Sequence, residues 1–402
     1  MVAASARRAE KYPVQRLLEH ARKAPDKTWL VQPAGDSLRQ WTWAQAAREI
    51  GRMAAALKAQ NWPAGSAIAI SGRNTAHWFM ADLAIQWAGH VTVGLFPKQA
   101  PSATQYILQH CEARAVFLGP MPDGAEFLAA IPEGVTTIRF PYVEAPHADI
   151  DWDDMAQAQS PLSQYERPEP DSLMTLIYTS GTTGHPKGVM ITYGAMAWTA
   201  QAFLSKFPPP SSHERLFSYL PLAHVLERAA VETASLLWQA EVHFLEALDK
   251  LAQQLPQVAP TRFFAVPLVW GRFKAGILSK LSESKLDRLM AIPILRDVVR
   301  FKLLKTLGLQ NVRMALSGAA PIPVSTLEWF KRVLGLEILE GYGMTENLAF
   351  VAHVPARLVN PSQTLASDFP ARAKYRSSIR ALWRVISTNL RKHRKHLRQM
   401  AG

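Results

Sequence analysis

Residues 178–190 read YTSGTTGHPKGVM, a run of small and hydroxyl-bearing residues between two apolar stretches. The first stretch, residues 173–178, has the composition of a buried strand, and the second begins at Gly188. Glycine lets a ligand approach the backbone closely, and successive amides in such turns form concave anion sites. The hydroxyl groups add donors, and Lys187 adds a point charge that suits phosphate. The segment therefore predicts a polyphosphate-binding loop between two strands, because a flexible linker would lack the apolar flanks.

This loop differs from a Walker A loop, because His185 and Pro186 separate Gly184 from Lys187. Four other motifs follow it: PLAHVLER at 221–228, FFAVPLVW at 263–270, SGAAPIP at 317–323 and LEGYGMTE at 339–346. The five motifs in this order resemble those of the adenylate-forming (AMP-binding) enzymes, the acyl-CoA synthetase superfamily. The His-x-x-Glu-Arg form of the second motif and the GYGMTE ending most resemble long-chain fatty acid–CoA ligases of the bacterial type. The resemblance covers about residues 10–353.

The pattern along the chain alternates between helix and strand. Thr42 and Gln45 have capping-box spacing before a helical apolar pattern, and residues 67–70, 91–96 and 115–118 are typical of short buried strands. Such alternation predicts parallel sheets covered by helices. With the resemblance, it predicts an α/β fold: the large N-terminal body of an adenylate-forming enzyme, with parallel sheets flanked by helices in two subdomains.

Two segments interrupt this alternation. Residues 141–171 are rich in Pro, Asp, Gln and Ser and are expected to form a loop-like connector. Residues 274–307 are basic and amphipathic, with helical spacing broken at Pro293. A solvated helical face is the simpler interpretation of this second segment, and a membrane-facing role is the alternative.

Composition restricts the class of protein. At 402 residues and 48% hydrophobic content, the chain is too long for one ordinary core and should form two or three lobes. The single cysteine, Cys111, cannot form an internal disulfide, which favours a reducing compartment. The N-terminal sequence lacks the apolar core of a signal peptide, and no stretch reaches the ~18–20 apolar residues of a spanning helix. We expect a cytoplasmic protein, with peripheral contact to the inner membrane surface left open.

The net charge of +13 is concentrated near the C-terminus. Residues 354–402 contain eleven Lys and Arg but a single acid, Asp368, which leaves 34 basic and 31 acidic residues in the first 353 positions. A nearly neutral body argues against nucleic-acid binding by the protein as a whole.

The resemblance ends at about residue 353. The family's later parts, a ribose-binding aspartate, an arginine-bearing hinge and a mobile lid domain with a catalytic lysine, cannot be placed in this chain. We therefore expect residues 1–353 to be an incomplete AMP-binding domain without the C-terminal lid, and residues 354–402 to be a basic tail. The tail is either the product of a shifted reading frame or one basic amphipathic helix suited to an anionic membrane or nucleic acid, with apolar positions Ile379, Leu382, Ile386, Leu390 and Leu397.

The resemblance also implies a set of nucleotide-binding residues. The loop residues Thr179, Ser180, Gly181, Thr182, Thr183 and Gly184, together with Lys187, would hold the β- and γ-phosphates. Gly318, Ala319 and Ala320 would form the wall against adenine, for which a tight strand-to-helix turn is the structural alternative. The last motif would complete the site with Glu340, Gly341, Tyr342, Gly343 and Thr345. Within it, Tyr342 would stack on adenine and Thr345 would contact the α-phosphate.

The same resemblance implies catalytic and metal-binding roles. Glu346, helped by the hydroxyl of Thr179, would bind Mg²⁺, an ion that often takes only one or two protein ligands beside phosphate oxygens. A helix cap is the alternative role for the Thr-Glu pair. His224 would lie beside the substrate carboxylate, although a lone histidine is often a packing or capping group. Glu227 and Arg228 are expected to form a structural ion pair or cap.

The chemistry implied is activation of a carboxylate. Because an oxide is a poor leaving group, transfer of AMP from ATP prepares the acid for attack by a thiol. The resemblance implies a long-chain fatty acid–CoA ligase with fatty acid, ATP, Mg²⁺ and coenzyme A as its substrates and cofactors, and with Lys187, His224 and Glu346 as catalytic residues. The alternatives are a ligase that acylates a carrier protein and a non-catalytic acyl- and nucleotide-binding remnant. Without the ribose aspartate and lid lysine, we expect weak nucleotide binding and little acyl-CoA formation.

Overall fold

Strands alternate with helices in the computed structural model, which describes residues 11–35, 37–179, 184–207, 213–348 and 352–354, with backbone alone for Lys206 and 352–354. The strands are β1 (Thr28–Ala34), β2 (Ser37–Thr42), β3 (Ala67–Ser71), β4 (Val91–Leu95), β5 (Ala115–Leu118), β6 (Thr136–Arg139), β7 (Ile150–Asp151), β8 (Leu173–Thr179), β9 (Lys187–Thr192), β10 (Arg215–Ser218), β11 (Glu241–Phe244), β12 (Arg262–Ala265), β13 (Met314–Ser317), β14 (Ile338–Tyr342) and β15 (Ala352–Val354).

The α-helices of the described residues are α1 (Pro13–Lys23), α2 (Trp43–Ala59), α3 (Ala76–Trp87), α4 (Pro101–His110), α5 (Gly124–Ala129), α6 (Trp152–Gln157), α7 (Tyr193–Lys206), α8 (Val225–Glu227), α9 (Ala234–Trp238), α10 (Leu251–Val258), α11 (Pro267–Leu278), α12 (Glu283–Ala291), α13 (Pro293–Leu307) and α14 (Val324–Trp329). A π-helical turn (Arg228–Thr233) joins α8 to α9. The predicted capping box begins α2: the Thr42 hydroxyl accepts from the Gln45 amide at 3.3 Å, and the Gln45 side chain accepts from the Thr42 amide at 2.9 Å.

The largest sheet has seven strands in the order β7-β6-β5-β3-β4-β8-β9. All neighbouring strands are parallel except β8 and β9, which are antiparallel. Every residue of β3, β4 and β5 is buried, as expected for parallel strands that helices cover on both faces. The strands predicted at residues 67–70, 91–96 and 115–118 are confirmed to within one residue, and the α/β fold class with them.

Two smaller sheets have four strands each, in the orders β10-β11-β1-β2 and β12-β13-β14-β15. Both are parallel except for their last pairs, β1 with β2 and β14 with β15. Parallel strands end at the same edge of a sheet, which is where ligands bind in open α/β folds. The SGAAPIP and GYGMTE motifs therefore leave β13 and β14 side by side.

Apolar side chains form two large clusters in the described residues. The first contains Trp29 and Trp43, whose rings stack with centroids 4.4 Å apart. The second contains Trp270, which is fully buried and meets Phe263 and Phe330 edge-on at centroid distances of 5.4 and 5.2 Å. Trp270, the last residue of the FFAVPLVW motif, is therefore a core residue.

A buried cluster of charged groups lies where the π-helical turn meets the large sheet. The Arg228 guanidinium contacts Asp82 at 2.6 Å and Glu232 at 3.4 Å, and it donates to the Thr175 hydroxyl at 2.5 Å. It also lies 5.4 Å from the ring centroid of Trp78. Burial and the neighbouring Asp82 raise the pKa of Glu232 well above its usual value. The Arg228 cation therefore lies between two buried acidic side chains within the core.

The expectation that residues 141–171 form only a connector is wrong in part. β7 adds a seventh strand to the large sheet, and α6 follows it directly. Trp152 is fully buried in the first cluster and donates from its indole nitrogen to Glu49 at 3.0 Å. The polar composition of the flanking residues hides this short amphipathic helix, which tertiary burial of one tryptophan stabilises.

The segment 274–307 is helical, as predicted, but it is divided twice. α11 ends at Leu278, α12 begins after Ser282, and Pro293 starts α13 as its first residue. The predicted break at Pro293 is confirmed. Proline can begin α13 because it is tolerated in the first turn of a helix. None of the helices in the described ranges is long and apolar enough to cross a membrane.

We predict that Arg228→Ala lowers the free energy of unfolding by about 3–5 kcal/mol, because it leaves the Asp82 carboxylate buried without its cation. Denaturant unfolding followed by circular dichroism measures this change. Lys331→Ala is the matched control, since it removes an exposed ion pair with Glu337 at 3.3 Å and should cost no more than about 1 kcal/mol. Equal effects of the two substitutions would show that the buried cluster does not stabilise the fold.

Candidate active site

The two ends of the predicted phosphate loop face each other across a hairpin. Thr179, the last residue of β8, pairs with Lys187, the first residue of β9. Gly184, at the described end of the loop, has φ +94°, a conformation that favours glycine. The Lys187 side chain is exposed and Thr179 is half-buried. Ser180, Gly181, Thr182 and Thr183 lie outside the described residues, so their roles stay predictions.

Aromatic side chains support this hairpin from the large sheet and α4. A Cβ on Gly188 would lie 3.1 Å from the Tyr178 ring, so glycine lets β9 pass over that ring. The Tyr178 hydroxyl and the His110 Nδ1 share a hydrogen bond of 2.7 Å. His185 stacks on Tyr106, with ring centroids 4.8 Å apart. These supports were not predicted from the sequence, although the four-residue spacing of Tyr106 and His110 places both on one side of α4.

The SGAAPIP and GYGMTE motifs meet at the ends of β13 and β14, where Ser317 pairs with Glu340. A Cβ on Gly318 would lie 3.3 Å from the Gly341 carbonyl oxygen, and a Cβ on Gly341 would lie 3.2 Å from Leu316. Close strand packing therefore favours glycine at both positions, and the wall that they form is backbone.

The loop after Gly318 is the predicted strand-to-helix turn, and it remains compatible with a surface for adenine. Ala319 has φ +68°, and both Ala319 and Ala320 are exposed. The Glu340 carboxylate accepts a hydrogen bond from the Ile322 amide at 3.1 Å. Glu340 thus anchors this loop to β14, a role that differs from direct nucleotide contact.

The end of GYGMTE forms a short 3₁₀ turn (Thr345–Asn347) that packs against β9. Tyr342, Gly343 and Glu346 are exposed and Thr345 is largely buried. The Asn347 side chain accepts from the Met344 amide at 3.0 Å. Asn347 is therefore the capping group of this turn, and the Thr-Glu pair does not act as the helix cap that sequence left as an alternative.

One apolar cluster holds three of these motifs together. It includes Ile177 of β8, Ile191 of β9, Val225 of α8 and Leu348, which follows the 3₁₀ turn. The hairpin, the His224 motif and the end of GYGMTE are thereby packed against a common set of side chains. The described parts of the predicted site converge although up to 171 positions separate them in the sequence.

Leu226, the residue after Val225, connects α8 to the strands that carry the SGAAPIP motif. Leu226 and Leu339 both pack against a cluster that includes Leu316, and a Cβ on Gly318 would lie 4.0 Å from Leu226. Val225 and Leu226 are consecutive residues of α8. Val225 thus contacts the apolar cluster of the β8–β9 hairpin, and Leu226 contacts the β13 and β14 strands. His224 immediately precedes these two residues at the start of α8.

His224 caps α8 with its ring. Its Nδ1 accepts from the Leu226 amide at 3.1 Å, so the proton of the neutral ring is on Nε2. The side chain is exposed, yet partial desolvation lowers its pKa below the usual value, which leaves the imidazole neutral at pH 7. A neutral Nε2–H can donate a hydrogen bond to a carboxylate without leaving the helix uncapped.

Glu227 is buried and not paired with Arg228, which corrects the interpretation of the two as one ion pair. Its carboxyl oxygen accepts from the Ser218 hydroxyl at 2.8 Å, the Tyr219 amide at 3.0 Å and the Asn74 side chain at 3.3 Å. Burial raises the pKa of Glu227 to about 8. Glu227 is therefore a structural residue that fixes the end of β10 before PLAH. Asn74 has no signal in the sequence, because only folding brings it near this motif.

Comparison with known proteins assigns the chain to a family. The model of the AMP-binding enzyme family matches residues 17–374, so the match extends past residue 353, where the resemblance was expected to end. The chain belongs to this family and so to the adenylate-forming acyl-CoA synthetase superfamily.

Individual relatives cover the chain only in part. Long chain acyl-CoA synthetase 6, peroxisomal, of Arabidopsis thaliana is 29% identical over 72% of this chain and 45% of its own length. Long-chain-fatty-acid–CoA ligase ACSBG2 of Xenopus laevis is 30% identical over 70% of this chain and 43% of its own length. This chain therefore spans less than half the length of either relative.

Solved structures share the fold. The A domain of carboxylic acid reductase from Segniliparus rugosus, in complex with AMP and a co-purified carboxylic acid, aligns with a TM-score of 0.68 at 18% identity. The alignment covers 86% of this chain and 62% of that one.

We predict that Ala319→Val weakens nucleotide binding, whereas Ala319→Gly preserves it. A β-branched residue is strained at φ +68°, while glycine adopts this conformation freely. The valine variant should be less stable than the glycine variant by at least about 1–2 kcal/mol, and the loop should move from its position beside β14. Titration with a fluorescent ATP analogue and thermal unfolding check both effects. Tighter binding by the valine variant than by the glycine variant would contradict the assigned loop conformation.

We predict that Glu227→Gln changes the pH dependence of stability. Between pH 4.5 and about 8 the folded chain retains the Glu227 proton that the unfolded chain releases. The contribution of this group to stability therefore falls by about 1.4 kcal/mol for each pH unit over that range. Urea unfolding from pH 5 to pH 8 should show that the glutamine variant gains stability relative to the parent chain as pH rises.

The control for this experiment is Glu337→Gln, at a partly exposed position. Its stability difference from the parent chain should vary little over the same pH range. Parallel pH profiles for the parent chain and the Glu227→Gln variant would refute a buried, protonated Glu227.

Proposed function

We propose that this chain is the nucleotide- and acyl-binding body of a long-chain fatty acid–CoA ligase. The reaction is ATP-dependent adenylation of a fatty acid, followed by formation of its thioester with coenzyme A. The observation that carries the proposal is the position of His224, because α8 packs against both the phosphate hairpin and the strands that bear SGAAPIP and GYGMTE.

The proposed chemistry has two balanced steps. In the first, a carboxylate oxygen attacks the α-phosphorus of ATP, and pyrophosphate leaves. In the second, the coenzyme A sulfur attacks the acyl carbon, AMP leaves, and the thiol proton passes to solvent. The chain has to hold two anions, the carboxylate and the triphosphate, close together, and this requires fixed positive and hydrogen-bonding groups.

The described residues offer such groups. Lys187 supplies positive charge at the mouth of the hairpin, where the β- and γ-phosphates would bind. The Nε2–H of His224 is free to orient the carboxylate, because its Nδ1 already caps α8. Tyr342 follows Gly341, one of the two glycines of the backbone wall, and its side chain is 62% exposed. Its ring is therefore available to stack on adenine. Thr345 is assigned to the α-phosphate in this proposal.

The donor set also suits Mg²⁺. In the described part of the chain, no group of three or more His, Cys, Asp or Glu side chains has an arrangement that could hold a metal ion. Mg²⁺ needs only one or two carboxylates when substrate phosphates and water complete its shell. Glu346, with the Thr179 hydroxyl, would hold the ion, which when bound neutralises phosphate charge.

Long-chain acids are proposed as substrates because the curated relatives carry that name and because His-x-x-Glu-Arg and GYGMTE resemble that branch. Coenzyme A is proposed as the thiol acceptor on the same ground. The carboxylic acid in the Segniliparus rugosus structure supports a carboxylate as the group that is activated.

Binding measurements on the whole chain test the proposal. Oleate and the ATP–Mg²⁺ complex should each bind, and acetate should bind far more weakly than oleate. ATP–pyrophosphate exchange with oleate reports the first step without coenzyme A. Lys187→Ala and Glu346→Gln should each weaken nucleotide binding and should lower the exchange rate by roughly 10²–10³-fold.

The matched control is Lys331→Ala, which removes an exposed lysine that pairs with Glu337. It should bind ATP and oleate as the parent chain does. If acetate or an aromatic acid bound while oleate did not, the long-chain assignment would be wrong. If the Lys187 and Glu346 variants matched the control, the nucleotide site would be wrong.

We predict that His224→Asn separates the capping role of His224 from its catalytic role. Asparagine is a favoured N-cap residue, so α8 should remain capped and the stability should change little. Removal of the Nε2 donor should slow the oleate-dependent exchange by about 10²-fold while ATP binding is retained. Exchange at the parent rate would show that His224 acts only as a cap.

A further inference from the structure

The outer side of α13 exposes large apolar side chains. Ile294 is 79% exposed, and Val298 and Phe301 are each 61% exposed. These residues are four and seven positions apart, so they line one side of the helix. The fold does not require them there, because other apolar side chains of α13 pack against the second core cluster: Leu303, Leu304 and Leu307.

The inner side of α13 is attached firmly to the body. Arg300 donates to the Val333 carbonyl at 3.2 Å and to the Arg332 carbonyl at 2.7 Å. The outward direction of the apolar side chains is therefore fixed by contacts on the opposite side of the helix. Exposed Ile292 and Leu295 extend the apolar surface at the N-terminal end of α13.

Positive charge accompanies this surface. Lys305 follows Phe301 by four residues on the same side of the helix, and Lys302 lies at its margin; both are exposed. Residues 267–307 contain nine Lys and Arg but only three acids. Each acid already has a cation, since Glu283 and Asp287 contact Arg332, and Asp297 contacts Arg296 at 3.2 Å.

We propose that the outer face of α13, formed by Ile292, Ile294, Leu295, Val298 and Phe301 with Lys302 and Lys305, binds an anionic lipid bilayer surface. Helices that lie in a membrane interface insert their apolar residues below the headgroups and direct Lys and Arg toward anionic lipids. The excess of cations over acids favours a negatively charged surface over a second copy of this basic region. The inference goes beyond the proposed function and does not require catalysis.

Co-sedimentation with vesicles tests this surface in the full chain. The probes are phosphatidylcholine vesicles with and without phosphatidylglycerol. The parent chain should bind the anionic vesicles more strongly than the neutral ones, and added salt should weaken that binding. The combined substitution Ile294→Ser, Val298→Ser and Phe301→Ser should reduce partitioning into anionic vesicles by at least about tenfold.

A second variant, Lys302→Glu with Lys305→Glu, tests the charge separately and should abolish the preference for anionic vesicles. The matched control is Leu248→Ser, which replaces a leucine that is 74% exposed elsewhere in the chain and should leave binding unchanged. Residues 354–402 are identical in all variants, so a contribution from that segment cancels in the comparison.

Thermal unfolding and ATP binding establish that each variant is folded, and both should match the parent chain. Unchanged vesicle binding by the serine and glutamate variants would overturn the proposal. So would a parent chain that ignores vesicles but forms a dimer that the serine substitutions disrupt, since the face would then bind a second copy.

Discussion

Ile177 and Ile191, from the two strands of the hairpin, pack with Val225 and Leu348 in one apolar cluster, and the candidate site depends on this packing. The hairpin carries the ends of the phosphate loop, α8 begins with His224, and Leu348 ends the turn that contains Glu346. Two of these segments are too short to hold their own position, since α8 and the 3₁₀ turn have three residues each. Burial of apolar side chains from each segment in a common cluster supplies the missing constraint.

The electrostatics beneath the site follow from burial in the same region. Glu227 keeps its proton at neutral pH, and Arg228 contacts both Asp82 and Glu232, a glutamate whose pKa is raised by burial. The positive charge of Arg228 is therefore offset within the core. The exposed cation Lys187 is then the dominant charge of the hairpin, which suits a site that has to attract a polyphosphate.

The structure separates residues that a sequence motif presents together. His224, Glu227 and Arg228 lie in one motif, yet the histidine is exposed, the glutamate fixes the end of β10, and the arginine belongs to a buried cluster with α3. Their different roles arise because successive positions of a helix point in different directions. The same geometry gives α13 an inner side that packs on the core and an outer side that exposes apolar residues.

The sequence by itself determined the α/β class, most strands of the large sheet, the capping box of α2 and the family to which the chain belongs. These features are local, since they depend on periodicity, on capping residues or on glycine-rich motifs that act over a few positions. It failed at residues 152–157, where burial of Trp152 stabilises a helix within polar surroundings. Only the tertiary structure decided that Trp270 is core, that Glu340 anchors a loop and that Asn74, Tyr106 and His185 support the site. Those roles depend on contacts between residues distant in the chain, and such contacts exist only after the sheets have packed.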